Sequence, residues 1–242
     1  MNPSSNEPRE HTEGRLSTSV LESHRLLSML RLGSAALPIG AFAYSQGLES
    51  AIADGVIRNA AQAETWIRGV LEHSLFTCDI PLLRALLSAF ERGDPSKLES
   101  LDDRWRATRG TRELREEDRQ LGASLMRLLS RQLSPSAGGR RASSPTFGYA
   151  FAYAGFIWGL DARLLGHSYC FAWFESQVGA AVRLIPLGQT EAQLVLSHLI
   201  DTAARGLEKH LERDECAVSS TTPGQWLHSV RHESLYSRLF RS

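Results

Sequence analysis

The stretch FGYAFAYAGFIWGL, residues 147–160, carries no charged side chain and is apolar on every side. Its aromatic residues suit a strand. Its alanines and its length suit a helix, and Gly148, Ala152, Gly155 and Gly159 lie three to four residues apart, so a second helix can approach closely. The pattern predicts a central helix, buried all round. About fourteen apolar-rich residues are too few to cross a membrane, which takes roughly 20.

Working outward, helical spacing continues on both sides. A helix is expected from Asp161 to about Arg183, stopped by Pro186 and Gly188, and another from Gln189 to about Glu212. Upstream, SPSAGGRRASSPT at 134–146 reads as a loop bounded by Pro135 and Pro145. Before it, Leu114, Leu121, Leu125 and Leu128 stripe a helix over about 111–133. Arg112, Arg115, Glu116, Glu117, Asp118 and Arg119 are assigned to its opposite, solvated face, with Glu113 in the same acid cluster. Ala63, Trp66, Ile67, Val70 and Leu71 mark a helix within 59–77, with Asn59 and Gln62 in a capping-box pattern. Asp79 and Pro81 predict a fresh helix start, and Gly93 its end. No strand alternation appears, so the expected fold is all-α, with about eight to ten helices.

Residues 1–20 are rich in Ser, Pro, Glu and Arg and read as a disordered extension without a secretory apolar core. Residues 21–216 form the expected helical domain, and 217–242 a tail. With 27 basic and 27 acidic residues the formal charge is zero, which argues against nonspecific nucleic-acid binding. Only Lys97 and Lys209 among the basic residues are lysine. Cys78, Cys170 and Cys216 are an odd number, far apart, without CxxC. That usage fits a reducing, cytoplasmic setting and no zinc ribbon.

Catalytic patterns are missing from the sequence. There is no phosphate loop and no GxSxG elbow. Asp102 and Asp103 begin a DDxxD pattern that Arg106 breaks. His228 and His232 are spaced for one helical face and are candidate nickel contacts. Two ligands do not close a metal site, and two surface histidines are the competing reading. Cys78, Asp79 and His73 can gather at a helix junction, or Cys78 is simply buried beside a capping Asp79. These absences point toward a binding protein.

Four stretches, in order, resemble the UreF family of urease accessory proteins: LPIGAFAYSQGLE at 37–49, RELREEDRQLG at 112–122, Gln177-Val178 through LIPLGQT at 184–190, and a chain end with Arg231-His232-Glu233 and YSRLFRS at 236–242. The resemblance implies an all-α, dimerising, non-enzymatic protein without a cofactor. It also implies binding to the accessory protein UreD (also called UreH), recruitment of the GTPase UreG, and help in delivering nickel, as transiting cargo, to apo-urease.

Within that resemblance Pro38 and Gly40 are expected to set a tight entry into a helix near Tyr44, with Gly47 and Glu49 in the same motif. Gln177, Arg183, Pro186 and Gln189 are structural positions around the long helices. The partner-binding candidates are Arg231, His232, Glu233, Tyr236, Ser237, Arg238, Leu239, Phe240 and Arg241, whose aromatic, apolar and Arg-rich composition suits an interface. The expectation is that 225–242 orders on UreD/UreH; the alternative is that it packs on its own domain. Two other roles compete with a pure scaffold. One is a catalytic activator of the GTPase, since an inserted Arg can speed hydrolysis by roughly 10³–10⁵-fold. The other is conduction of nickel through a polar interior.

Overall fold

A computed structural model describes residues 18–131 and 144–242. Nearly all of the expected N-terminal extension and most of the 134–146 loop lie outside those residues. The described chain contains ten α-helices and no strand. They are α1 (Thr18–Leu32), α2 (Leu48–Ala53), α3 (Ala60–Val70), α4 (Ile80–Arg92), α5 (Pro95–Ala107), α6 (Arg112–Ser130), α7 (Phe147–Ile157), α8 (Ala162–Leu184), α9 (Gln189–Leu211) and α10 (Pro223–His232). None of the described helices is long and apolar enough to cross a membrane.

The apolar segment is the central helix that the sequence predicts. α7 packs between α4 and α6 and also meets α5 and α8. Phe151, Ala150, Ala152 and Ala154 are fully buried. Its start is fixed twice: Thr146 caps the Tyr149 N–H, and Asp102 accepts both the backbone N–H and the hydroxyl of Thr146 at 3.0 and 2.6 Å. Asp102 of the broken DDxxD pattern is thus buried and holds the capping residue of α7 in place. At Gly148 the helix lies directly against the buried Trp105 indole, and an added Cβ would overlap the ring. Gly148→Ala is therefore expected to cost about 1–3 kcal/mol, the usual range for overpacking a core. Urea denaturation monitored by circular dichroism reads the loss directly.

The expected break at Asp79-Pro81 is absent. α3 and α4 are joined by a π-helical stretch, Leu71–Asp79, and the rod runs continuously from 60 to 92. Pro81 has no N–H, and its ring crowds the carbonyl four residues back. That carbonyl, on Thr77, instead accepts the Ser219 N–H at 3.2 Å, and the His73 carbonyl accepts the Thr221 N–H at 3.0 Å. The widened turn thereby ties down the start of the 217–242 tail. His73 is exposed while Cys78 is buried, with its thiol pushed up to about 12 chiefly by burial. Asn59 caps α3 as expected, but Gln62 reaches back one residue further, to the Arg58 N–H.

Candidate functional site

The predicted helix near Tyr44 starts later. Gly40 (φ +85) leads into a 3₁₀ turn, Ala41–Ala43; Tyr44 is extended, and α2 begins at Leu48 behind Gly47. Gly47 holds φ +87, and an added Cβ would sit 2.9 Å from the backbone of Gln225 and of Ser229. Both its left-handed backbone and the close approach of α10 require glycine there. Gln46 is the one non-glycine residue with positive φ among the described residues, at 54°. Its surroundings hold it there: its N–H bonds the Ser242 carbonyl at 3.1 Å, its Nε2 donates to Glu117 at 2.7 Å, and its Oε1 accepts Trp173 Nε1 at 2.8 Å.

The end of the chain returns to this turn. Arg241 N donates to the Ala43 carbonyl at 2.8 Å. The Ser45 N–H and hydroxyl both donate to the Ser242 carbonyl, at 2.5 and 2.6 Å. The Ser242 hydroxyl donates to Glu117 at 3.0 Å. Phe240 is buried, with the Arg183 guanidinium over its ring at 6.0 Å and bonded to the Phe42 carbonyl at 3.3 Å. Tyr44 donates to Gln120 at 2.6 Å, and Arg241 donates to the same oxygen at 3.3 Å.

At the centre sits His232, 0% exposed. Its Nε2 is 2.9 Å from Glu49 and its Nδ1 is 2.9 Å from Glu113. Each ring nitrogen thus faces a carboxyl group within hydrogen-bond distance. Glu49 also accepts the Leu239 and Phe240 N–H groups at 2.7 and 3.0 Å, and Glu113 accepts Arg238 at 3.2 Å. One histidine on α10 thereby couples α2, α6 and the chain end.

The histidine pair is not a surface pair: His228 is also buried, beside Ser50 at 3.3 Å and Asp54 at 3.4 Å, and burial lowers its pKa. Among the described residues no group of three or more His, Cys, Asp or Glu is arranged to hold a metal. Nor is the acid run of α6 a solvated face. Glu117 and Asp118 are buried because 114, 117, 118 and 121 share one side of the helix. Burial pushes Glu117 up to about 7, against the pull of its bonds to Gln46 and Ser242. Glu116 does face solvent, and its bonds to Arg119 bring it down to about 2.

Behind this junction lies a cavity of about 110 Å³ reached by Gln46, Glu117, Gln177 and Gln225. Arg109, Asp79 and Tyr169 line it as a buried group. Arg109 donates to Asp79 at 3.0 Å and stacks over Trp105 at 4.5 Å, while Tyr169 donates to Asp79 at 2.7 Å. Asp79 is thus a buried partner of Arg109, not a helix cap.

Tyr44, Gly47, Glu49, Arg183, His232, Arg238, Leu239, Phe240 and Arg241 therefore meet in one place, and buried Gln177 faces the cavity behind it. Arg231 pairs instead with Asp54 at 2.7 Å, and Glu233 approaches Arg112 at 4.0 Å. Tyr236 and Ser237 are exposed. Exposed Pro186 and Gln189 stand at the α8–α9 turn, and neither forms a hydrogen bond with the tail among the described residues; Pro38 is exposed before the 3₁₀ turn. The expected ordering of 225–242 on a partner gives way to the alternative, because the tail is folded on its own domain. Gln46, Glu113, Glu117 and Ser242 also belong to the junction, and the sequence patterns do not single them out for it. The spacing of Glu113 and Glu117, one helical turn apart, is the available signal.

The UreF family model matches residues 57–200 of the chain. The urease accessory protein UreF of Azoarcus sp. (strain BH72) is 41% identical over 224 residues, covering 90% of this chain and 95% of that protein. The UreF of Marinomonas sp. (strain MWYL1) is 38% identical over 218 residues, with 90% and 94% covered. That of Cupriavidus necator is 41% identical over 227 residues, with 90% and 98% covered.

Proposed function

Because the chain belongs to the UreF family of urease accessory proteins, we propose that it serves urease maturation as a scaffold without turnover of its own. In this reading it binds UreD/UreH, that complex recruits the GTPase UreG, and nickel passes to apo-urease as cargo. The observation that carries the reading is the outer face of the tail. Tyr236 is fully exposed, and Leu239, Leu227 and Val230 are at least half exposed, although the backbone beneath them is pinned by Glu49 and His232. A pinned apolar and aromatic surface loses little entropy on docking, which favours affinity. The exposed leucines of α1, Leu26, Leu27 and Leu30, supply a second apolar face that suits a homodimer.

The test is co-purification of the full chain with UreD/UreH and UreG, read by mass after size exclusion. Tyr236→Ala with Leu239→Ser is expected to weaken the UreD/UreH complex by at least about tenfold, as for a hot-spot pair, with an unchanged melting temperature. Undiminished binding by a variant that melts normally would move recognition to the helical body. No binding by the unaltered chain would overturn the scaffold reading.

A further inference from the structure

A concavity of about 310 Å³ lies between the end of α5, the first turns of α6 and the segment leading into α7. Its lining includes Arg106, Arg109, Arg112, Arg115 and Arg119, against only two carboxylates, Glu116 and Asp118. Both carboxylates are already engaged. Asp118 accepts from Trp105 Nε1 and Phe147 N–H at 2.7 and 3.2 Å and lies 3.5 Å from Arg109. Glu116 takes both arms of Arg119, at 2.9 and 2.6 Å. Arg106 is occupied by Asp102, Asp103 and the Ser144 carbonyl.

Two guanidiniums are left over. Arg115 bonds the Arg109 carbonyl at 3.0 Å through one Nη, which fixes the group at the rim, and its remaining N–H groups have no hydrogen-bond partner among the described residues. Arg112 has Glu233 at 4.0 Å, the limit of an ion pair. Both stand at the start of α6, where the helix dipole disfavours cations. The acidic residue of that turn, Glu113, is taken up by His232 and Arg238. Two guanidiniums without a close carboxylate partner among the described residues, at the positive end of a helix and around a concavity, are an arrangement that an oxyanion would stabilise.

We propose that this concavity is an oxyanion site of the phosphate class, with Arg112 and Arg115 as its principal ligands. Arg106 and Arg109, each held by two carboxylates, shape the wall of the concavity without adding positive charge to it. Phosphate fits better than a carboxylate because it offers acceptors to two separate forked donors at once. The site is independent of the scaffold reading: either can fail while the other stands.

Isothermal titration of the full chain with inorganic phosphate and with pyrophosphate, at matched low ionic strength, tests the proposal. Saturable binding of one equivalent is expected. The double variant R112Q/R115Q should bind at least about tenfold more weakly, the loss expected of charge-assisted bonds, and R205Q, on α9, should bind as the unaltered chain does. Tighter binding of pyrophosphate would assign the site to phosphoanhydrides, tighter binding of phosphate to the free ion. No saturable heat with either anion, or equal affinity in R112Q/R115Q with unchanged circular dichroism, would overturn it.

Discussion

Glu49→Ala is expected to free the last eight residues from a helical body that stays folded. Glu49 is 7% exposed and carries three bonds at once, from the His232 ring and from the Leu239 and Phe240 N–H groups. Truncation leaves the buried His232 ring with half its partners and two N–H groups without an acceptor. Leaving buried polar groups unpaired costs about 1–3 kcal/mol each, and here the cost falls on the docked tail, whose other bonds run to Ala43, Ser45, Gln46, Glu113, Glu117 and Gln120. The chain relieves it by letting 235–242 come away. Amide exchange at Leu239 and Phe240 should then accelerate by about a hundredfold or more, since each 1.4 kcal/mol is roughly a factor of ten. Amides of α7, which packs between α4 and α6, should keep their protection. Glu49→Gln is the informative companion. It keeps an acceptor for the two amides but turns an NH₂ toward the histidine, so its effect should fall between the two. Unchanged exchange at 239 and 240 in Glu49→Ala would show that those other bonds and the burial of Phe240 hold the tail without it.

The helices were legible in the sequence because burial and period coincide in them. The 147–157 segment is apolar all round and mostly buried, although Phe156 reaches solvent. Asn59, Thr146 and Asp161 cap where their chemistry says they should. The misreadings share one cause, which is polar side chains doing interior tasks. Glu117 and Asp118 sit on the leucine side of α6, and polarity alone assigned them to solvent. Their spacing from Leu114 and Leu121 already placed them inward. Pro81 signalled a helix start, yet the freed Thr77 carbonyl found a partner 142 residues away, at Ser219. No local pattern reports such a partner. The docking of the tail was hidden for the same reason. It depends on His232 meeting Glu49 and Glu113, residues 183 and 119 positions away. Motif resemblance named several of the participants, but their mutual contact is a property of the fold.

Glu117→Gln should remove a pH dependence that the unaltered protein shows between weakly acid and neutral pH. Glu117 is buried against Gln46 from the α2 turn and Ser242 from the tail, with Arg109 and Asp118 as the nearby charges. Burial raises its pKa from 4.5 to about 7. A carboxyl with a raised folded pKa holds its proton in the folded chain after the unfolded chain has lost it. Its contribution is thus fully present below about pH 4.5 and is lost as pH rises through 7. Over that interval the loss is roughly 3 kcal/mol, because a tenfold change in proton affinity is worth about 1.4 kcal/mol. Glutamine reproduces the protonated form: its carbonyl can accept from Gln46 Nε2, and its NH₂ can donate to the Ser242 hydroxyl, which rotates to accept. Glu117→Gln should therefore match the unaltered chain near pH 5 and exceed it in urea midpoint at pH 8. A variant with equal or lower stability at pH 8 would mean that the carboxylate is well stabilised where it lies, with Arg109 outweighing the cost of burial.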